Sequence, residues 1–180
     1  MKATMHLPTT MLTLFLTMLQ YASAQDDVCP GSPAWKFASC KMNVKFKNTS
    51  CSEVQSEINQ RLESTSWVDP HNQGTYMKLE NTSGNFIKAQ RLTGDGKYTD
   101  LFNFSFTDGS DGGCDVIACS QSQCLSVLDF STNYCNLRNL YCSSADGCVP
   151  LQYEFDYEEV YTDCGQNVKD KCIAAKSVNL

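Results

Sequence analysis

The residues best equipped for chemistry are 11 cysteines, 2 histidines and 20 acids in a chain of 180 residues. Thiolates ligate metals when they recur at tight paired spacings such as Cys-x2-Cys. Cys29, Cys40, Cys51, Cys114, Cys119, Cys124, Cys135, Cys142, Cys148, Cys164 and Cys172 never come closer than 5 positions, and no spacing resembles a zinc knuckle. Disulfides are the expected state if the chain is exported. An odd number leaves at least one thiol over, and Cys124, in the polar run after Cys119, is the residue expected to be left. It resolves the parity either as a buried thiol acting as a small hydrophobe, the favoured reading, or as the bridge of a disulfide-linked homodimer.

Histidine-dependent catalysis has only His71 once a leader carrying His6 is removed. No Gly-x-Ser-x-Gly elbow accompanies it, and Asp69 to Gly74 reads as a turn whose polar groups bond the local backbone. The acidic loop Asp108 to Asp115 lacks the alternating ligands and closing Glu of an EF-hand and reads as a hairpin loop. Gly94-Asp95-Gly96 lacks a phosphate-cradling lysine. Glu154, Asp156, Glu158 and Glu159 form either a solvated strand face or a patch for a cationic partner or mineral surface. No catalytic residue, metal or cofactor is expected, so the chain reads as a non-enzyme.

These residues sit in a chain whose first segment is an address. Lys2, the apolar stretch Met11–Leu19 and the small residues Ala22-Ser23-Ala24 predict a signal peptide over residues 1–24. Residues 25–180 are then a single secreted, disulfide-rich domain with 13 basic against 20 acidic residues, a net charge of −7. That balance argues against nucleic-acid binding. Past the leader, no apolar stretch is long enough to span a bilayer.

Residues 25–50 read as an irregular, disulfide-anchored arm. Ser52 with Gln55 resembles a capping box, and Val54, Ile58 and Leu62 form one stripe, predicting a helix over about residues 53–63 with Glu57 and Arg61 paired on its exposed side. Strands are expected at Thr75 to Glu80, Phe86 to Leu92, around Phe102 to Phe106, and at Val116 to Cys119. Further strands are expected at Leu125 to Phe130, Asn136 to Cys142 and, most clearly amphipathic, Leu151 to Glu158. The predicted class is β-rich with a minor helical part: a small disulfide-stabilised antiparallel sandwich or barrel with one N-terminal helix. The order of a short helix, Trp67 and a run of antiparallel strands is similar to lipocalins, which implies a barrel. Thr65 stands where the start motif of that family has glycine, and no amphipathic helix follows the last strand.

Asn48, Asn81 and Asn103 head glycosylation sequons, and Asn103 is out of phase with its phenylalanine neighbours, so it is expected on the solvent face. Inward alternation of Phe102, Phe104, Phe106, Tyr153, Phe155 and Tyr157 gives either a core or the lining of a pocket for a small apolar ligand. The function expected is a secreted, N-glycosylated, non-enzymatic binding protein acting on an extracellular partner or such a ligand. The alternatives are a structural component of a matrix or surface coat, or a secreted effector or toxin.

Overall fold

The computed structural model describes residue 29 and residues 37–79, 84–126 and 128–173. The predicted leader and Asn81 lie outside these described residues. Six strands form one antiparallel sheet: β1 Ser39–Phe46, β2 Thr75–Lys78, β3 Phe86–Leu92, β4 Thr99–Asp108, β5 Cys114–Ser122 and β6 Tyr157–Cys164. Their order is β2-β3-β4-β5-β1-β6. The antiparallel β-rich reading therefore holds. The sheet is not closed, so sandwich or barrel is only an approximation and the barrel implied by the lipocalin likeness is not formed.

Register explains which face is buried. Phe102 pairs with Ala89 and Ser120, Phe104 with Ile87 and Ala118, and Phe106 with Val116. On the other side of β5, Val44 pairs with Val116 and Met42 with Ala118. Strand alternation puts all of these on one face, and all are buried. Along β5 that face grades from Cys114, Val116 and Ala118 to Ser120 and Ser122, so one end is apolar and the other polar.

Helix α1, Cys51–Glu63, covers part of this face and touches β2, β4 and β5. Its N-cap is Ser50, boxed with Glu53, not Ser52 with Gln55. Val54, Ile58 and Leu62 are buried as their spacing predicts. Glu57 and Arg61 do pair, at 2.7 Å, but both side chains are 0% exposed. The expected exposed pair is corrected because each has further partners across the fold. Glu57 accepts from the backbone N–H groups of Leu151, Gln152 and Tyr153 at 2.7, 2.8 and 2.9 Å. Arg61 donates to the carbonyls of Asn139 and Cys142 at 2.9 and 3.0 Å.

Other expectations are corrected as well. The supposed arm contains β1, a central strand whose Cys40, Met42, Val44 and Phe46 alternate inward. Asn136 to Cys142 is not a strand: helix α2 spans Thr132–Arg138 and a turn follows. From Asn133 to Arg138 every residue is buried, so no amphipathic period marks the helix. Leu125 to Phe130 forms no strand among the described residues, only a bridge from Ser126 to Phe37. The strand expected from Leu151 begins at Tyr157, because the Glu57 carboxylate occupies the backbone donors of residues 151–153 that a ladder would need.

Five disulfides tie the layers: Cys29–Cys119, Cys40–Cys164, Cys51–Cys114, Cys135–Cys172 and Cys142–Cys148. Cys135–Cys172 joins α2 to the short helix α3, Lys169–Cys172. Cys124 is free and exposed, not buried, because it lies in the bend after β5 leaves the sheet.

Candidate binding site

The polar end of the sheet face is closed by α2. Asn133 donates to Ser122 Oγ at 3.0 Å and to Asp129 Oδ1 at 2.8 Å, and its Oδ1 accepts from Ser120 Oγ at 2.7 Å. Asn136 donates to Asp100 Oδ2 at 2.8 Å and Ser120 Oγ at 3.1 Å. Asn139 donates to Asp69 Oδ1 and to the Cys172 carbonyl, both at 3.1 Å. Beside them the buried guanidinium of Arg91 grips Asp69 Oδ2 through Nε at 2.9 Å and Nη2 at 2.6 Å, and also meets the His71 carbonyl. Gly74 is required there, since a Cβ would run into that guanidinium. The sheet face is thus filled by side chains that bond one another.

His71 belongs to this closure. Asp69 accepts from the His71 and Gly74 N–H groups, each at 3.0 Å, which is the local turn that the sequence suggests. His71 Nδ1 lies 2.8 Å from the Lys171 carbonyl, which only accepts, so Nδ1 carries the proton. Burial holds the imidazole below its ordinary pKa despite that bond. Neutral Nε2 then accepts from Thr132 Oγ1 at 3.3 Å. The ring tethers the C-terminal segment to α2.

An open concavity lies elsewhere among the described residues. A cleft of about 740 Å³ runs between the 3-10 turn Ser144–Asp146, the approach Glu154–Asp156, the start of β6 and Lys169. Asp146, Glu154, Asp156, Glu158 and Glu159 line it, with Phe155 and Tyr157 as its aromatic wall. Asp146 pairs with Arg138 Nη2 at 2.6 Å and accepts from Tyr157 Oη at 2.6 Å. Burial opposes ionisation of Asp146, but the Tyr157 bond and the Arg138 charge outweigh it and keep the carboxyl below its usual pKa. Glu154 accepts from Ser144 N and Oγ at 2.8 and 2.6 Å.

Glu159 is not on a solvated face. Its side chain is 9% exposed, accepts from Tyr134 at 2.8 Å and from Tyr141 at 3.1 Å, and lies 3.6 Å from Arg138 Nε and 3.8 Å from Lys169 Nζ. Burial first, and the acids second, push the Tyr134 and Tyr141 hydroxyls up. Burial and the Asp146 bond do the same to Tyr157, so all three stay protonated donors. Glu158 has Lys47 at 3.9 Å. Five carboxylates set against Arg138, Lys47 and Lys169 leave two negative charges on this surface.

The other expected site residues fall as follows. Phe102, Phe104, Phe106 and Phe155 are buried in the core, with Tyr153 and Tyr157 half-buried against it. Only Phe155 and Tyr157 of these border the cleft. Asn48 is exposed, in a turn with φ 51°. Asn103 does lie on the face opposite the phenylalanines, but it is 2% exposed and not solvated. Its register partner is Cys119, whose bridge to Cys29 lies on that face. Asp108 to Cys114 is a hairpin closed by Gly109 N donating to the Gly113 carbonyl at 2.9 Å. No cluster of three or more metal-ligating side chains occurs among the described residues.

The sequence reading recognised the acids from Glu154 to Glu159 but missed Asp146 and Lys169. Ser143 with Asp146 makes a capping box, the signal that could have found the turn presenting that acid. Searches against protein-family models and against curated protein sequences return no match to this chain.

Proposed function

We propose that this chain is a secreted, N-glycosylated, non-enzymatic binding protein whose recognition surface is the acidic cleft and whose partner there is cationic. The observation that supports this most is the pairing of an open cleft with two uncompensated negative charges and the half-buried ring of Tyr157. Carboxylates attract a cation over distance, and the Tyr157 ring can add a short-range cation–π contribution. A cleft of this volume falls within the range of small-ligand sites. The small apolar ligand loses its expected lining, since most of those aromatics are spent on the core. Five disulfides, and no helix among the described residues long and apolar enough to cross a membrane, are consistent with an extracellular protein. The single histidine of the mature chain is engaged in a structural tether, which supports a non-catalytic role.

Calorimetric titration with an oligolysine peptide at low and high salt tests this reading. We expect binding that weakens steeply with salt and is reduced by Asp156→Asn with Glu158→Gln. Equal binding of lysine-bearing and uncharged peptides would sink it. The exposed thiol of Cys124 supports a second reading, a matrix or coat component joined by an intermolecular bridge. A covalent dimer on a non-reducing gel, absent from Cys124→Ser, would favour it.

A further inference from the structure

Among the described residues the sheet has two unpaired edges of very different character. β2 is only 4 residues long and ends in Lys78, which is bound to Glu63 at 3.0 Å. Short, charged edges resist pairing with other chains. β6 has 8 residues, pairs only with β1 among the described strands, and leaves Val160 and Tyr161 59% and 48% exposed. A long edge with exposed apolar side chains offers unpaired N–H and C=O groups to an added strand.

The register with β1 says what such a strand must carry. Glu158 pairs with Lys45, Tyr161 with Asn43 and Asp163 with Lys41, and the shift between Asn43 and Val44 leaves Val160 as the extra residue. Lys41, Asn43 and Lys45 alternate along β1, so Glu158, Tyr161 and Asp163 share one face. β1 therefore answers acid, aromatic, acid with basic, polar, basic. Lys45 also lies 3.8 Å from Asp115, and Glu158 has Lys47 at 3.9 Å, whereas Asp163 makes no ion pair among the described residues. The strand itself contains three acids and no base.

A second copy fits badly. Antiparallel self-pairing centred between Val160 and Tyr161 would set Glu158 opposite Asp163 twice, and like charges directly opposite destabilise a pair.

We propose that the free edge of β6 takes an extended peptide of the pattern basic-x-apolar-x-basic, paired as an added strand. This rests on the acidic cleft as the recognition surface and specifies its partner, because the cleft opens beside Tyr157, Glu158 and Glu159 at the start of the same strand. The peptide mirrors β1 on the other side of β6. Backbone pairing supplies affinity and the two basic residues select the partner.

The test uses the full secreted chain and a Thr-Lys-Thr-Val-Thr-Lys-Thr peptide in three forms. One is unmodified, one is N-methylated at the Lys and Val positions, and one is N-methylated at the central Thr positions. Alternate amides of a strand point to the same edge, so methylation in one phase blocks pairing and in the other does not. We expect one methylated form to bind at least about tenfold more weakly than the other, because several backbone hydrogen bonds are lost together. Amide exchange should slow along Tyr157–Cys164 with the unmodified peptide. Equal binding of both methylated forms would overturn edge pairing while leaving the acidic cleft standing. Failure of every cationic peptide, oligolysine included, would overturn both.

Discussion

The two halves of the buried sheet face are built on opposite principles. Under α1, Phe102, Phe104 and Phe106 pack in sequence with ring centroids 6.1 and 6.3 Å apart, and the stretch from residue 52 to residue 113 contains no cysteine. Under α2, Asn133, Asn136 and Asn139 meet Asp69, Asp100, Ser120 and Ser122, and α2 is bridged to α3. Apolar packing is non-directional and tolerates volume-conserving swaps, whereas each member of a buried polar network is costly to leave short. Here Arg91 Nη1, Asn136 Oδ1 and Asn139 Oδ1 already lack a hydrogen-bond partner among the described residues. The contrast teaches where the chain is specified tightly and where it is only filled.

The largest effect should come from breaking the charge pair at the boundary between the halves. Asp69→Ala strands the buried Arg91 guanidinium and frees two turn N–H groups and the Asn139 amide. Loss of one partner of a buried pair costs about 3–5 kcal/mol, and urea unfolding should show a drop of that size. A loss below about 1 kcal/mol would mean that Arg91 finds solvent.

Substitutions to one residue type sharpen the comparison next. Asn136→Leu leaves Asp100 and Ser120 short of a donor and should cost about 2–3 kcal/mol. Phe104→Leu, in the apolar half, should cost only about 1–2 kcal/mol. Equal losses in thermal unfolding would erase the distinction between the halves.

A third effect depends on pH. Asp129 accepts from Asn133, but burial dominates and pushes its carboxyl up to about 6 from an ordinary 3.8. The folded chain thus holds this proton more tightly than the unfolded chain. Stability from this group is greatest below about pH 4 and is lost as pH rises through 6, by up to about 3 kcal/mol. Asp129→Asn should therefore gain on the wild type between pH 4 and pH 6 and hold that gain at neutral pH. A difference that is flat across that window would contradict the burial of this carboxylate. The smallest effect is expected for Cys124→Ser, within about 0.5 kcal/mol, since the thiol is exposed and unpaired. A thiol reagent should modify Cys124 in the native wild type without denaturant.

The apolar half was the more legible in sequence. Period two in Phe102, Phe104 and Phe106 gave β4, and the bounds Phe86–Leu92 of β3 agree with the structure. β1 also alternates, but Pro30, Gly31 and Pro33 ahead of it read as an irregular arm and mask that period. In the polar half the signals fail for a physical reason. A helix buried on all sides has no polar face to create a period, and its asparagines resemble turn residues until their partners on β4 and β5 are known. The same holds for the cleft. Glu154 to Glu159 are visible as acids, but which of them are neutralised depends on Arg138, Lys47 and Lys169, which only the fold brings near.

Backbone amide shift mapping of the chain, titrated with oligolysine at low salt, tests the central claim most directly. The filled sheet face and open acidic cleft predict shifts clustered at residues 143–146, 154–159 and Lys169, fading as salt is added. Shifts spread along Phe102, Phe104 and Phe106, or none anywhere, would contradict it.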